Sequence, residues 1–76
     1  MSPRQPRITA AHLLRALRRD GWEIDRQRGG HAQLAHPTKP GLVTVPQHVG
    51  EILKPKTLAT ILEQAGLSVD DLRRLL

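Results

Sequence analysis

Gly29-Gly30 sits between two short runs whose apolar residues recur at every second position. Before it come Trp22 and Ile24, alternating with Glu23 and Asp25; after it come Ala32 and Leu34, separated by Gln33. Alternation with period two is the pattern of a half-buried strand. Two adjacent glycines make a turn that no Cβ obstructs. The spacing therefore predicts a β-hairpin, with strands over Trp22 to Gln27 and His31 to His36. Ala32 and Leu34 share one face, and His31, Gln33 and Ala35 the other. Once Leu34 points to the core, His31 points to solvent or sits at the sheet rim. Trp22 shares its face with Ile24 and reads as a core anchor rather than a base-stacking platform.

The flanking segments supply what this hairpin packs against. Thr9 is a good N-cap, and Ile8 and Leu13 have the spacing of a hydrophobic staple. Leu13, Leu14 and Leu17 form the apolar face of a first helix that Gly21 closes. Its other face carries His12, Arg15, Arg18 and Arg19, which reads equally as a phosphate-facing stripe or a solvated surface. Leu42-Val43-Thr44-Val45 is a third, β-branched strand stopped by Pro46. Residues 47–50 read as a loop and Glu51-Ile52-Leu53 as a turn of helix. Thr57 is expected to cap a second helix with the core stripe Leu58, Ile61, Leu62 and Ala65, closed by Gly66. Ser68 and Asp71 form a capping box for a last short helix, with Leu67 and Leu72 as its staple. The order is αβββα, an α+β domain with a three-stranded antiparallel sheet and both helices on one face. This is the layout of a double-stranded-RNA-binding domain. It spans residues 8–76, and residues 1–7, with two prolines and two arginines, are expected to form a flexible basic arm.

Composition limits the chemistry. A chain of 76 residues is one domain with a small core and little room for a deep pocket. It has no cysteine, so disulfides and thiolate metal sites are excluded. No apolar run is long enough for a membrane span, and no signal peptide is visible at the N-terminus, so a cytoplasmic protein without membrane attachment is expected. The net charge of +5, with ten of twelve basic residues before Val69, suggests an anionic partner and nucleic acid above all. Trp22 is the one aromatic residue, so contact with RNA would be to phosphates, sugars and shape rather than by stacking.

The candidate site follows from Arg26-Gln27-Arg28-Gly29-Gly30-His31. Imidazole takes and returns a proton near neutral pH. Guanidinium clamps phosphate through a planar fork of donors. In the expected layout the first helix, the first hairpin and the start of the second helix form one surface. The basic residues on it are Arg15, Arg19, Arg26, Arg28, Lys54 and Lys56, and amides after Thr57 add an anion site at a helix start. The competing reading is a solvated hairpin turn with ordinary surface charge. A metal site is disfavoured, because His31 and His36 face opposite ways and no helical histidine pair occurs. No cofactor is expected.

On these residues the chain resembles the HicA family of small bacterial toxins, which are messenger-RNA interferases. The resemblance covers about residues 8–67. It rests on Leu17 to Trp22, Arg26 to His31, His36-Pro37, Val43-Thr44-Val45-Pro46 followed by His48, and Thr57-Leu58 with Ile61-Leu62 through Ala65-Gly66. It implies a double-stranded-RNA-binding-like fold, a catalytic role for His31, and mRNA and a HicB-type antitoxin as partners. RNA contacts are then expected from Arg15, Arg19, Arg26, Arg28, Gly29, Gly30, Lys54, Lys56 and Thr57, and His48 is an accessory candidate through its Pro-x-His context. The rival is a non-catalytic module that reads double-stranded-RNA shape. Two positions depart from the family: Gly30 stands where Ser is usual, and Lys56 where Gly is usual.

Overall fold

The structure is a computed structural model and describes residues 5–48 and 50–76. The element order is α1 (Ala10–Arg19), β1 (Glu23–Arg28), β2 (His31–Ala35), β3 (Val43–Pro46), α2 (Pro55–Ala65) and α3 (Val69–Leu75). The strands form one antiparallel sheet in the order β1-β2-β3. This is the α+β arrangement that the periodicity predicts. Residues 1–4 of the expected basic arm, and Val49 of the expected loop, lie outside the described residues.

Local chemistry fixes most helix ends. The Thr9 hydroxyl accepts from the His12 N–H at 3.2 Å and opens α1. At the other end the Gly21 N–H donates to Arg18 O and the Trp22 N–H to Leu17 O, both at 3.0 Å. That pair of bonds is a Schellman closure, and it needs the positive φ of +106° at Gly21. Gly66, at φ +68°, closes α2 in the same way, with the Leu67 N–H donating to Leu62 O at 2.9 Å. Ser68 and Asp71 exchange backbone and side-chain bonds in the expected capping box.

Two local expectations fail. Helix α2 starts at Pro55 with Lys54 as N-cap, so Thr57 lies inside the first turn rather than capping it. Proline at the first helical position has no N–H to satisfy and already holds a helical φ, so the helix begins there without a side-chain cap. Nor does Glu51-Ile52-Leu53 form a helical turn. Ile52 makes an antiparallel bridge to Thr9, and the Leu53 N–H donates to Ile8 O at 2.9 Å. Partners across the chain replace the local ones.

The core lies between one sheet face and the helices. Trp22, Leu13, Leu17, Leu34, Leu58, Ile61, Leu72, Val43 and Val45 are fully buried, joined by Ile8, Ala10, Leu14, Ala16, Ala32, Leu62 and Ala65. Ile24, expected in the core, is half-buried at its edge. Ala32 pairs with Val45 and Leu34 with Val43, so these four side chains share the covered face. Gln5 and Pro6 are half-buried and line a cavity with Ile52, Leu53 and Leu58.

His36 ties the end of β2 to the end of α1. Its Nε2 lies 2.6 Å from Asp20 O, and its Nδ1 is 3.1 Å from the backbone N of both Thr38 and Lys39. Two N–H donors at Nδ1 make it the acceptor and leave the ring proton on Nε2, which donates to Asp20 O. The ring packs edge-on against Trp22 with centroids 5.1 Å apart. Lys39 Nζ reaches Asp20 Oδ2 at 2.6 Å and Ala65 O at 3.1 Å, joining the same corner to the end of α2.

Candidate active site

The hairpin register decides which side chains meet. Ile24 pairs with Leu34, but the next pairs are Arg26 with Gln33, Gln27 with Ala32 and Arg28 with His31. Asp25 has no partner and forms a bulge between Ile24 and Arg26. One extra residue reverses the parity of everything after it. Strict alternation from Ile24 would turn Arg26 and Arg28 toward the covered face. The bulge instead puts both on the open face with His31 and Gln33.

Arg28 and His31 are direct cross-strand partners beside the turn, and such partners have Cβ atoms about 4.5–5.5 Å apart. Both are exposed, as is Arg26. On its other side His31 pairs with Pro46 of β3. The imidazole is thus flanked by a guanidinium on one strand and the end of β3 on the other. Gly29 takes φ +53° and needs to be glycine, whereas Gly30 does not have a positive φ. A Cβ at Gly30 would meet nothing nearer than Gln47 O at 3.9 Å, so a serine fits there sterically.

Pro46 leads from His31 to the start of α2. Pro46, His48, Lys54 and Thr57 line one cleft of about 240 Å³ together with Glu51, Ile52 and Leu53. His48 also faces a second cleft of about 270 Å³, walled by Ala11 and Leu14 of α1 and by Gln47. The N–H groups of Lys56 and Thr57 precede the first intrahelical bond of α2, from the Leu58 N–H to Lys54 O at 2.9 Å. The anion-binding end of this helix is therefore at Lys56 and Thr57 and not beyond Thr57.

The fold brings the expected residues together unevenly. Arg26, Arg28 and His31 share the open sheet face, with Gly29 and Gly30 at its tip. Lys54, Thr57 and His48 share the neighbouring cleft, and Lys56 is exposed beside it. Arg15 is exposed on α1, one turn beyond Ala11. Arg19 stands apart from this group: its guanidinium donates to Leu75 O and fastens α3 to the end of α1. Among the described residues no group of three His, Asp or Glu is placed to hold a metal ion.

Two residues of the site escaped the sequence reading. Gln27 Nε2 donates to Gln47 Oε1 at 2.8 Å, and the Gln47 N–H donates to Gly30 O at 2.5 Å. Polar residues in a strand and a loop give no sequence signal for such a link.

The family model described as the HicA toxin of bacterial toxin-antitoxin matches residues 10–67. The chain belongs to the HicA toxin family. A comparison with curated proteins finds no match. The segment matched to HicA holds the hairpin, the cleft and both main helices, and it ends before α3. Leu72 of α3 is nevertheless fully buried, so in this HicA chain the last helix completes the core. None of its helices, among the described residues, is long and apolar enough to cross a membrane.

Proposed function

We propose that this chain is the endoribonuclease toxin of a HicA/HicB-type system, acting on mRNA in the cytoplasm and neutralised by a HicB-type antitoxin. The observation behind this reading is the pairing of Arg28 with His31 on an exposed sheet face, within a chain of the HicA family. The catalytic unit is the single domain of residues 8–76, and the basic segment 1–7 is an accessory arm.

In the proposed reaction His31 is the general base. It takes the proton of a ribose 2′-hydroxyl, and that oxygen attacks the adjacent phosphorus in line. The P–O5′ bond breaks, leaving a 2′,3′-cyclic phosphate and a 5′-hydroxyl whose proton comes from a general acid. A positioned base typically contributes about 10²–10⁴-fold. Arg26 and Arg28 stabilise the charge that grows on the phosphorane, as do Lys54 and Lys56. His48 is the candidate acid, since it lines the cleft that Pro46 shares. Internal attack needs no metal and no cofactor. An acidic antitoxin would cover the open sheet face and the cleft together, silencing base and phosphate clamp at once.

The test is cleavage of an RNA oligonucleotide by purified protein in the presence of chelator. RNA should be cut, and DNA of the same sequence, lacking the 2′-hydroxyl, should survive. His31→Ala should abolish cleavage yet keep RNA affinity. If His31→Ala cuts at the parent rate, the catalytic assignment is wrong. If the parent binds RNA without cutting it, the chain is a non-catalytic RNA-shape reader.

A further inference from the structure

We infer that Gln27 and Gln47 are positioning residues, a polar clamp that fixes the Gly29-Gly30 turn, and with it His31, against the loop that carries His48. The inference rests on the proposed ribonuclease reading and adds the device that sets its geometry.

The clamp follows from the register. The Asp25 bulge that sends Arg26 and Arg28 outward also sends Gln27 to the covered side, where it pairs with Ala32. Here, near the turn, Gln27 is exposed rather than buried beneath a helix. Its side-chain amide reaches Gln47 Oε1 at 2.8 Å. Gln47 directly follows Pro46, the β3 partner of His31, and its N–H holds Gly30 O at 2.5 Å. Two bonds from one residue therefore span the turn: a backbone bond to Gly30 and a side-chain bond to Gln27. Without the side-chain bond, the tip would be held only by backbone pairing, Arg28–His31 and His31–Pro46 with the Gly30–Gln47 bond, around a turn with two glycines, the least restricted residue type.

The restraint matters because a general base acts only within hydrogen-bond reach of its proton, and its partner acid must stand on the far side of the same phosphate. His31 opens β2, directly after Gly30, and His48 directly follows Gln47. Gln47 is bonded to Gly30 and is the chain neighbour of His48. One backbone bond therefore joins the residue before His31 to the residue before His48. Gln27 holds the Gln47 side chain and prevents the loop from swinging away. Neither glutamine is placed to touch the reacting atoms, so both act through the histidines.

The variants Gln27→Leu and Gln47→Leu remove the side-chain bond while keeping side-chain bulk. With a fluorogenic RNA oligonucleotide as substrate, each should lower kcat by about 10- to 100-fold, the scale of a misplacement of roughly 1 Å. KM and the thermal midpoint should stay at parent values. The two single variants and the double variant should lose the same amount, because the pair acts as one unit. The swap Gln27→Lys with Gln47→Glu restores a cross-strand link as an ion pair and should recover kcat, while Gln27→Lys alone should not. Independently of activity, NMR order parameters at Gly29, Gly30 and His31 should fall in either leucine variant and recover in the swap. Parent-like kcat and parent-like order in the leucine variants would overturn the clamp. If the parent itself does not cut RNA, the ribonuclease reading falls, and the order parameters alone decide whether the clamp exists.

Discussion

Gly21→Ala should be among the most damaging single-methyl changes in the chain. Gly21 sits at φ +106°, a conformation that a side chain rarely adopts, and holding alanine there costs about 1–3 kcal/mol. The new Cβ would also lie 2.6 Å from His36 Nε2. That ring cannot swing aside, because Nδ1 accepts from two backbone N–H groups and the ring packs on buried Trp22. Moving it breaks the Nε2–H bond to Asp20 O, a further loss of about 1 kcal/mol. The sum is about 2–4 kcal/mol, against a total of about 5–15 for a typical protein. At about 4–8 °C per kcal/mol for a domain this small, the midpoint should drop by roughly 10–30 °C. Thermal unfolding of Gly21→Ala, His36→Ala and the double variant separates the two causes. Without the His36 ring, Gly21→Ala should retain only the backbone cost, giving a coupling on the order of 1 kcal/mol. Strictly additive losses would show that the ring does not oppose the methyl. A Gly21→Ala protein that melts like the parent would refute the strain argument too.

Leu62 is 4% exposed in the core stripe of α2, so Leu62→Ala should cost about 2–5 kcal/mol by urea denaturation; a parent-like midpoint would contradict the packing. Lys56→Ala removes a charge beside the start of α2 and should flatten the log–log salt dependence of RNA binding by about one contact. An unchanged slope would place the phosphate elsewhere. The Asp71 carboxyl is held below its ordinary value, first by the Ser68 backbone N–H, then by the Ser68 hydroxyl and the Arg74 guanidinium. A folded-state value below the unfolded one gives stability that is present above the unfolded value of about 3.9 and is lost as pH falls through the lower folded value. Protection factors of the α3 amides, each referred to intrinsic exchange at the same pH, should therefore fall as pH drops through this window, and Asp71→Asn should remove this dependence.

What the sequence alone decided are the features whose partners lie within a few residues of each other. Thr9, Gly21, Gly66 and the Ser68–Asp71 box each act across one helical turn, so residue type at fixed spacing was enough to place them. The alternation around Gly29-Gly30 set the hairpin, and it set His31 on the open face because β2 runs without a break from the turn to Leu34. Thr57 misled at the same scale, because Pro55 competed for the start of α2 and the proline at the first helical position prevailed. What only the tertiary structure decided concerns pairing between strands. A bulge is a mismatch in the number of residues on two strands, and neither strand's own pattern shows it. Asp25 thereby chose the face of Arg26, Arg28 and Gln27. The choice assembled the cation beside His31 and the amide link to Gln47 in one step. Arg19 was decided in the same way. Its charge suggested phosphate, but the carbonyl at Leu75, 56 residues away in the chain, comes within reach only when α3 folds back onto α1.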